Sequence, residues 1–253
     1  MKYLLLSAII AAALSNANLA RAQAVTLVAP GGMRCAMDRM APDFEHKTGH
    51  PVKVTIGSGG ATHQQVVHGD LFDVPVVQPP YQDVIDSGNV VTSSETPLAT
   101  VAIVVVVRKG DHKPDISTPD AVKHLLLTAK SISYPDGAGG LGGAAGVSFD
   151  QTLTKLGIFE EMKPKIKRIK GVSLMHLLTN GDIDFAVSFA SEINDPGVEV
   201  VGPLPREIST PTSLVGFVSA HTKSPEAAKT LLSFLSSSEA AAAYKACGMQ
   251  PGR

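Results

Sequence analysis

The chain has 253 residues, and its 22 Lys and Arg nearly balance its 23 Asp and Glu, for a formal net charge of -1 at pH 7. These charges are distributed without long runs of one sign, which argues against a nucleic-acid groove or a membrane-binding face. With no Trp, 4 Tyr and 8 Phe, the chain also offers little material for stacking a sugar ring.

Residues 1–24 predict an export signal. Lys2 is followed by the apolar run LLLSAIIAAAL, and Ala22, Gln23 and Ala24 form the small-x-small pattern after which signal peptidase cleaves. The run is too short to span a bilayer comfortably, and the later run VAIVVVV ends at Arg108. Because no cysteine stands at the cleavage point to carry a lipid, we expect a freely diffusing periplasmic protein without a membrane anchor.

Strands and helices alternate along the first half of the remaining chain. VTLVAP (25–30) predicts a strand, and the methionines from Met33 onward recur at helical spacing after a Pro-Gly-Gly turn. The same order of strand, glycine loop and helix recurs at 50–69. Two further strands are predicted, with a helix at 81–88 after the first of them: FDVPVVQPP (72–80) and the all-apolar VAIVVVVRKG (101–110).

The second half continues this alternation. Thr118 and Ser224 each precede a proline, a pattern typical of capped helix starts. Strands are predicted at 130–135, 183–191 and 213–220, with helices at 146–157, 171–182 and, as a pair, from Ser224 to near Gly248. This order predicts an α/β protein with mostly parallel sheets flanked by helices. The chain is long enough for two lobes of roughly 100 residues each.

Three predicted strands lead into helices through loops of glycine, serine or proline: PGGM (30–33), GSGGAT (57–62) and DGAGGLGGAAG (136–146). In a parallel sheet such loops gather at the carboxyl edge. There the first N–H groups of each helix attract anions, and glycine lets the backbone approach the ligand. Any one of these loops is more often a simple turn, but three together favour an anion site. None carries the sequence of a nucleotide P-loop.

Four segments carry a family resemblance: APGGMRCAMDRMAPDFEHKTGHPVKVTIGSGG, PDISTPDAVKHLLLTAKSISYPD, VEVVGPLP and SPEAAKTLLSFLSSSEAAAAYKACGMQP. Through them the chain resembles the molybdate-binding-like, type II solute-binding proteins of ABC transporters. The resemblance implies two α/β lobes, 25–107 with 213–253 and 108–212, joined by strands near 101–108 and 211–219. It also implies a monomer that holds a small anion in the cleft between the lobes, needs no cofactor or metal, and works with an ABC transporter permease.

The resemblance assigns ligand contacts to four regions. Carried over by position, the contacts are Gly31 and Gly32 in the first loop, Ser58, Gly59 and Gly60 in the second, Gly142, Gly143 and Ala144 in the third, and Phe189 and Ser191 in the fourth. Molybdate binders usually carry a serine in the first loop, where this chain has Ala29-Pro30-Gly31-Gly32, and often a tyrosine near Phe189. The missing hydroxyls argue against molybdate or tungstate as the ligand.

Arg34 points to a different anion. It lies in the first turn after the first loop, where its guanidinium can make two parallel hydrogen bonds to a carboxylate beside the helix start. A solvated helix arginine is equally consistent with the sequence. We therefore prefer a small di- or tricarboxylate to a molybdate-like oxyanion.

An enzymatic function stays open as the alternative. Some members of this family resemble a periplasmic aconitate isomerase, which shifts a proton along an unsaturated tricarboxylate. That reaction requires a general acid or base within hydrogen-bond reach of the substrate carbon. The candidates are His63, after the second loop, and Glu192, after strand 183–191. His63 is also explained as a surface or capping residue, and Glu192 as a cap or as a partner of Arg34 across the cleft. Asp136 is better explained as stiffening its own turn.

The two cysteines, Cys35 and Cys247, lie far apart in the sequence. In an oxidising compartment they form either one disulfide or two separate buried thiols, and the sequence does not decide between these. Neither they nor the histidine pairs His46/His50 and His63/His68 predict a metal site.

Overall fold

The computed structural model describes residues 23–137, 143–167 and 173–252. Within these ranges the strands form two sheets, with helices packed against both. The strands are β1 Val25–Pro30, β2 Val52–Gly57, β3 Val74–Val77, β4 Val90–Val101, β5 Ile103–Arg108, β6 Ile132–Ser133, β7 Phe185–Phe189, β8 Val198–Pro203, β9 Thr212–Ser219 and β10 Met249–Pro251. The helices are α1 Arg34–Thr48, α2 Gly59–Val67, α3 Gln82–Asp86, α4 Pro119–Thr128, α5 Ala144–Lys155, α6 Phe159–Met162, α7 Leu174–Thr179, α8 Pro225–Leu235 and α9 Ser238–Ala246.

The two sheets are mixed, which differs from the predicted excess of parallel pairs. The first sheet has the order β10-β4-β9-β3-β1-β2, and in it only β1 pairs in parallel, with β2 and β3. In the second sheet, β6-β7-β5-β8, only β6 and β7 are parallel. The reason lies in the chain path, since β9 returns from the second sheet and enters the first between β3 and β4, antiparallel to both.

The predicted strand at 101–110 is two strands in the structure. Ala102 separates β4, in the first sheet, from β5, in the second. The segment 204–211 makes the return crossing from β8 to β9. A division at Ala102 follows the sheets more closely than the predicted division after Val107, and the lobe boundaries themselves stay a prediction.

Helix α1 shows why these segments fold as the sequence predicts. Ala36, Met37, Met40 and Phe44 recur at helical spacing and are all at most 2% exposed, so one face of the helix belongs to the core. The helix ends at Gly49, whose φ of 75° is a left-handed conformation that glycine adopts without strain.

A disulfide joins Cys35 in α1 to Cys247 at the end of α9, with a Cα–Cα distance of 5.9 Å. The structure thereby decides the alternative that the sequence left open. The bond links two parts of the chain that are 212 residues apart and both pack on the first sheet. Within the described residues, no helix combines the length and the apolar character that crossing a bilayer requires.

Candidate functional site

An open cleft of about 820 Å3 lies between the two sheets. The start of α2 and the connection from β3 to α3 line it from the first sheet, and α5 lines it from the second. The end of the return crossing and the start of β9, at Thr210 to Ser213, complete the wall. The lining is largely apolar, with amide and hydroxyl side chains among it, and His63 and Asp83 are the ionisable residues in the lining.

The second predicted loop forms the start of α2. Ser58 is the N-cap, and its side-chain oxygen accepts a hydrogen bond from the Ala61 N–H at 3.1 Å while its carbonyl accepts one from the Thr62 N–H at 2.9 Å. The N–H groups of Gly59 and Gly60 precede these and belong to the set that an α-helix leaves without an internal partner. Both glycines line the cleft.

The third predicted loop forms the start of α5 on the opposite wall. Gly143 is the N-cap, and its N–H donates to the carbonyl of Asp136 at 2.8 Å, which closes the loop. A Cβ atom placed on Gly59 would lie 3.1 Å from the Cβ of Ala144, so the starts of α2 and α5 nearly touch across the cleft. Gly142 lies outside the described residues.

The first and fourth predicted regions meet beside the crossing between the sheets, in a cluster that we call the crossover junction: Gly31, Gly32, Phe189, Ser191 and Glu192. A Cβ on Gly32 would lie 3.4 Å from Ser191 Oγ and 3.8 Å from Phe189 Cδ2. A Cβ on Gly31 would lie 3.2 Å from Glu192 Oε1. The approach at Gly31 is tighter than an ordinary contact, so a side chain there would require Glu192 to shift, whereas the contact at Gly32 is of ordinary length.

Glu192 is largely buried in the crossover junction. Burial raises the pKa of its carboxyl, while hydrogen bonds from Ser188 and from the Phe189 backbone act in the opposite direction and are weaker. Ser188 Oγ donates to Glu192 Oε2 at 2.6 Å. No charged residue appears among these causes, so the carboxyl is held by neutral groups in the described part of the chain.

The remaining predicted residues lie outside these contacts. Arg34 is exposed at the start of α1, and within the described residues it forms no ion pair with Glu192 or with any other carboxylate. His63 lines the cleft, and its Nε2 lies 2.8 Å from Asp83 Oδ2. That hydrogen bond lowers the pKa of Asp83 below its ordinary value.

Three side chains in the described ranges have buried polar atoms without a hydrogen-bond partner, and all three lie near the predicted loops. They are Thr62 in α2, Gln78 after β3 and Ser191 in the crossover junction. Sequence reasoning found Ser191 through the family resemblance but missed Gln78. A single polar residue between the buried strand VPVV and a Pro-Pro pair is the only signal that Gln78 gives in the sequence.

Comparison with known proteins identifies the relatives of this fold and sequence. The profile of the bacterial extracellular solute-binding protein family matches residues 25–250. An aconitate isomerase from Pseudomonas sp. is 29% identical over 237 residues, which cover 90% of this chain and 87% of the relative. The molybdate-binding protein ModA of Azotobacter vinelandii is 26% identical over 239 residues, which cover 90% of each chain.

The solved structure of the periplasmic molybdate-binding protein from Azotobacter vinelandii superposes with a TM-score of 0.71 at 19% identity. The match covers 89% of this chain and 98% of that one. At this level of identity the likeness concerns the fold alone. It confirms the predicted fold class, a two-lobed α/β binding-protein fold of type II.

Proposed function

Because the chain belongs to the bacterial extracellular solute-binding protein family, we propose that it is a periplasmic receptor that closes its lobes over a small anion. One observation carries this proposal, namely that the starts of α2 and α5 face each other across the cleft. Each start presents helix N–H groups and the positive end of a helix dipole to the same space. An ABC-type permease is the partner to which such a receptor delivers its ligand.

The preferred ligand is a small di- or tricarboxylate. The open cleft has a volume of about 820 Å3, which is within the range of small-molecule sites and leaves room for an organic anion. The turn after β1 and Phe189 offer no side-chain hydroxyl to a molybdate-like ligand. The relative named aconitate isomerase supports a carboxylate, whereas the relative named for molybdate binding supports an oxyanion.

Isothermal titration calorimetry of the purified protein tests this function. The panel consists of citrate, tricarballylate, cis-aconitate, molybdate, tungstate and sulfate. We expect saturable binding of at least one carboxylate and weaker or no binding of the metal oxyanions. Saturable binding of molybdate or tungstate, with no heat from any carboxylate, would contradict the carboxylate assignment.

Aconitate isomerisation is the second candidate function, and the buried carboxyl of Glu192 is the observation that favours it. Glu192 lies in the crossover junction and is not among the residues that line the cleft, so this function requires the reacting carbon of the substrate to reach the junction. In that reaction a base removes a proton from the methylene carbon of aconitate. The double bond then moves along the carbon chain, and a proton returns to the former vinyl carbon. A buried carboxyl whose pKa is raised is a stronger base than an ordinary glutamate, which suits this proton transfer.

Chromatography of cis- and trans-aconitate after incubation with the protein tests this second function. If Glu192 is the base, Glu192→Gln should lower turnover by about 100-fold or more, because proton transfer by a positioned side chain contributes on that order. Calorimetry with the same variant should still detect bound aconitate. Ligand recovered unchanged from the wild-type protein would contradict the enzyme and leave the receptor function intact.

A further inference from the structure

Gln78 differs from the other glutamines that line the cleft. It follows β3 directly and is 9% exposed, whereas Gln64, Gln82 and Gln151 are exposed. Gln82 also donates a hydrogen bond to Asp86, so its amide already has a partner within the protein. Gln78 is thus the buried carboxamide of the cleft wall.

Neither polar atom of the Gln78 side chain has a hydrogen-bond partner among the described residues. Its Oε1 lies 2.6 Å from the position that a Cβ of Gly59 would occupy, so the amide reaches the start of α2. Ala144, at the start of α5, lies next to the same glycine. Burying an amide without partners is unfavourable, and a ligand group that enters the cleft would supply partners that the described residues do not.

The carboxamide sets a requirement on that group. Nε2 is a donor and fits a carboxylate oxygen, whereas Oε1 only accepts and needs a donor from the ligand. Ionised carboxylates, sulfate and molybdate offer acceptors alone. A hydroxyl next to a carboxylate offers both, at the spacing that one carboxamide presents.

We propose that Gln78 binds the ligand directly and selects a small hydroxycarboxylate. This inference rests on the proposed carboxylate-binding function and narrows it to acids that carry a hydroxyl. An acid without the hydroxyl leaves Oε1 buried and unpaired when the lobes close. Sites built to hydrogen-bond a hydroxyl reject analogues that lack it for this reason.

Citrate and tricarballylate form a matched ligand pair, because they differ by one hydroxyl group. Titration calorimetry on the wild-type protein should show citrate binding at least about 10-fold more tightly. In Gln78→Met, which keeps the side-chain length and removes both polar atoms, the two acids should bind with equal affinity. Gln250→Met, at an exposed glutamine of β10 that does not line the cleft, is the control and should keep the wild-type preference.

Equal affinity of the two acids for the wild-type protein would overturn the inference, and so would a full citrate preference in Gln78→Met. The comparison on the wild type needs no variant, so it decides the matter even where Gln78→Met does not fold. Heat from neither acid is a different result, because it contradicts the carboxylate function on which the inference rests.

Discussion

Glu192 places an ionisable carboxyl against the backbone of the first glycine loop. Burial raises its pKa, and the hydrogen bond from Ser188 offsets only part of that effect. A protonated carboxyl can donate a hydrogen bond to an anion, whereas an ionised one repels it. If an anion binds at the crossover junction, as the proposed functions require, the charge of this one residue would control whether the junction accepts it.

Replacing Glu192 by Gln should remove one contribution that makes the protein less stable as the pH rises. The pKa of Glu192 is raised above its ordinary value of 4.5 in the folded protein. At pH values between 4.5 and the raised pKa, the folded state binds more protons than the unfolded state. The free energy of unfolding therefore falls as the pH rises through this range. The variant lacks this contribution, and its stability relative to the wild type should therefore increase from acidic to neutral pH.

Urea unfolding at a series of pH values measures this difference. Glu161→Gln, a change at an exposed glutamate, is the control and should follow the wild-type curve. Identical pH profiles for Glu192→Gln and the wild type would show that Glu192 is not perturbed by burial.

At the scale of elements, the proposed anion site relies on helix N-termini where many anion sites use basic side chains. The walls of the cleft contain His63 as their basic residue, and His63 is paired with Asp83. Under the proposed function, a bound anion would face the positive dipole ends of α2 and α5 and accept hydrogen bonds from their first N–H groups. The site consequently depends on how well the first turn of each helix is held.

Removing the N-cap of α2 should weaken both the helix and the ligand site. Ser58→Ala should lower the free energy of unfolding by about 1 kcal/mol, which is typical for loss of a serine N-cap, and should also weaken carboxylate binding. Ser237→Ala removes the equivalent cap of α9, because the Ser237 side chain accepts a hydrogen bond from the Ala240 N–H. Ser237 does not line the cleft. Thermal unfolding and calorimetry on both variants should show similar destabilisation and a loss of affinity in Ser58→Ala alone. Equal affinities in the two variants would remove Ser58 from the site.

The sequence predicts most elements but less of the site, and particular residues show why. The repeats of strand, glycine loop and helix identify β1, α1, β2 and α2, because hydrophobic period and turn residues are local signals. Most of the first half of β4 is exposed, so VVTSSETP shows no clear alternation and its strand was missed. Gln78 was missed because burial of one polar side chain depends on distant contacts that no local pattern records.

At the scale of the whole molecule, the disulfide lies close to the place where the chain crosses between the two sheets. Cys247 precedes Gly248, and a Cβ on that glycine would lie 3.0 Å from the Cβ of Ala190 beside the crossover junction. The Cys35–Cys247 bond therefore fixes the end of α9 against α1, close to the place where the chain passes between the sheets. The chain passes between the two sheets at Ala102 and at 204–211, which are the places where a hinge between the predicted lobes would lie.

Loss of the disulfide should destabilise the protein strongly. Replacing Cys35 and Cys247 by serine should lower the free energy of unfolding by about 2–5 kcal/mol, because the bond restricts the unfolded chain over a long loop. Treating the wild type with a thiol reductant should give the same loss in urea unfolding and should leave the double variant unchanged. A urea unfolding midpoint of the wild type that is the same with and without the reductant would contradict a stabilising role for the disulfide.

A crystal structure of the protein grown with citrate tests the central claim most directly. We expect the ligand in the cleft, with oxygens at the first N–H groups of α2 and α5 and with both polar atoms of Gln78 bonded to it. Citrate bound elsewhere, or a cleft that stays free of ligand at saturating citrate, would contradict the account of the site.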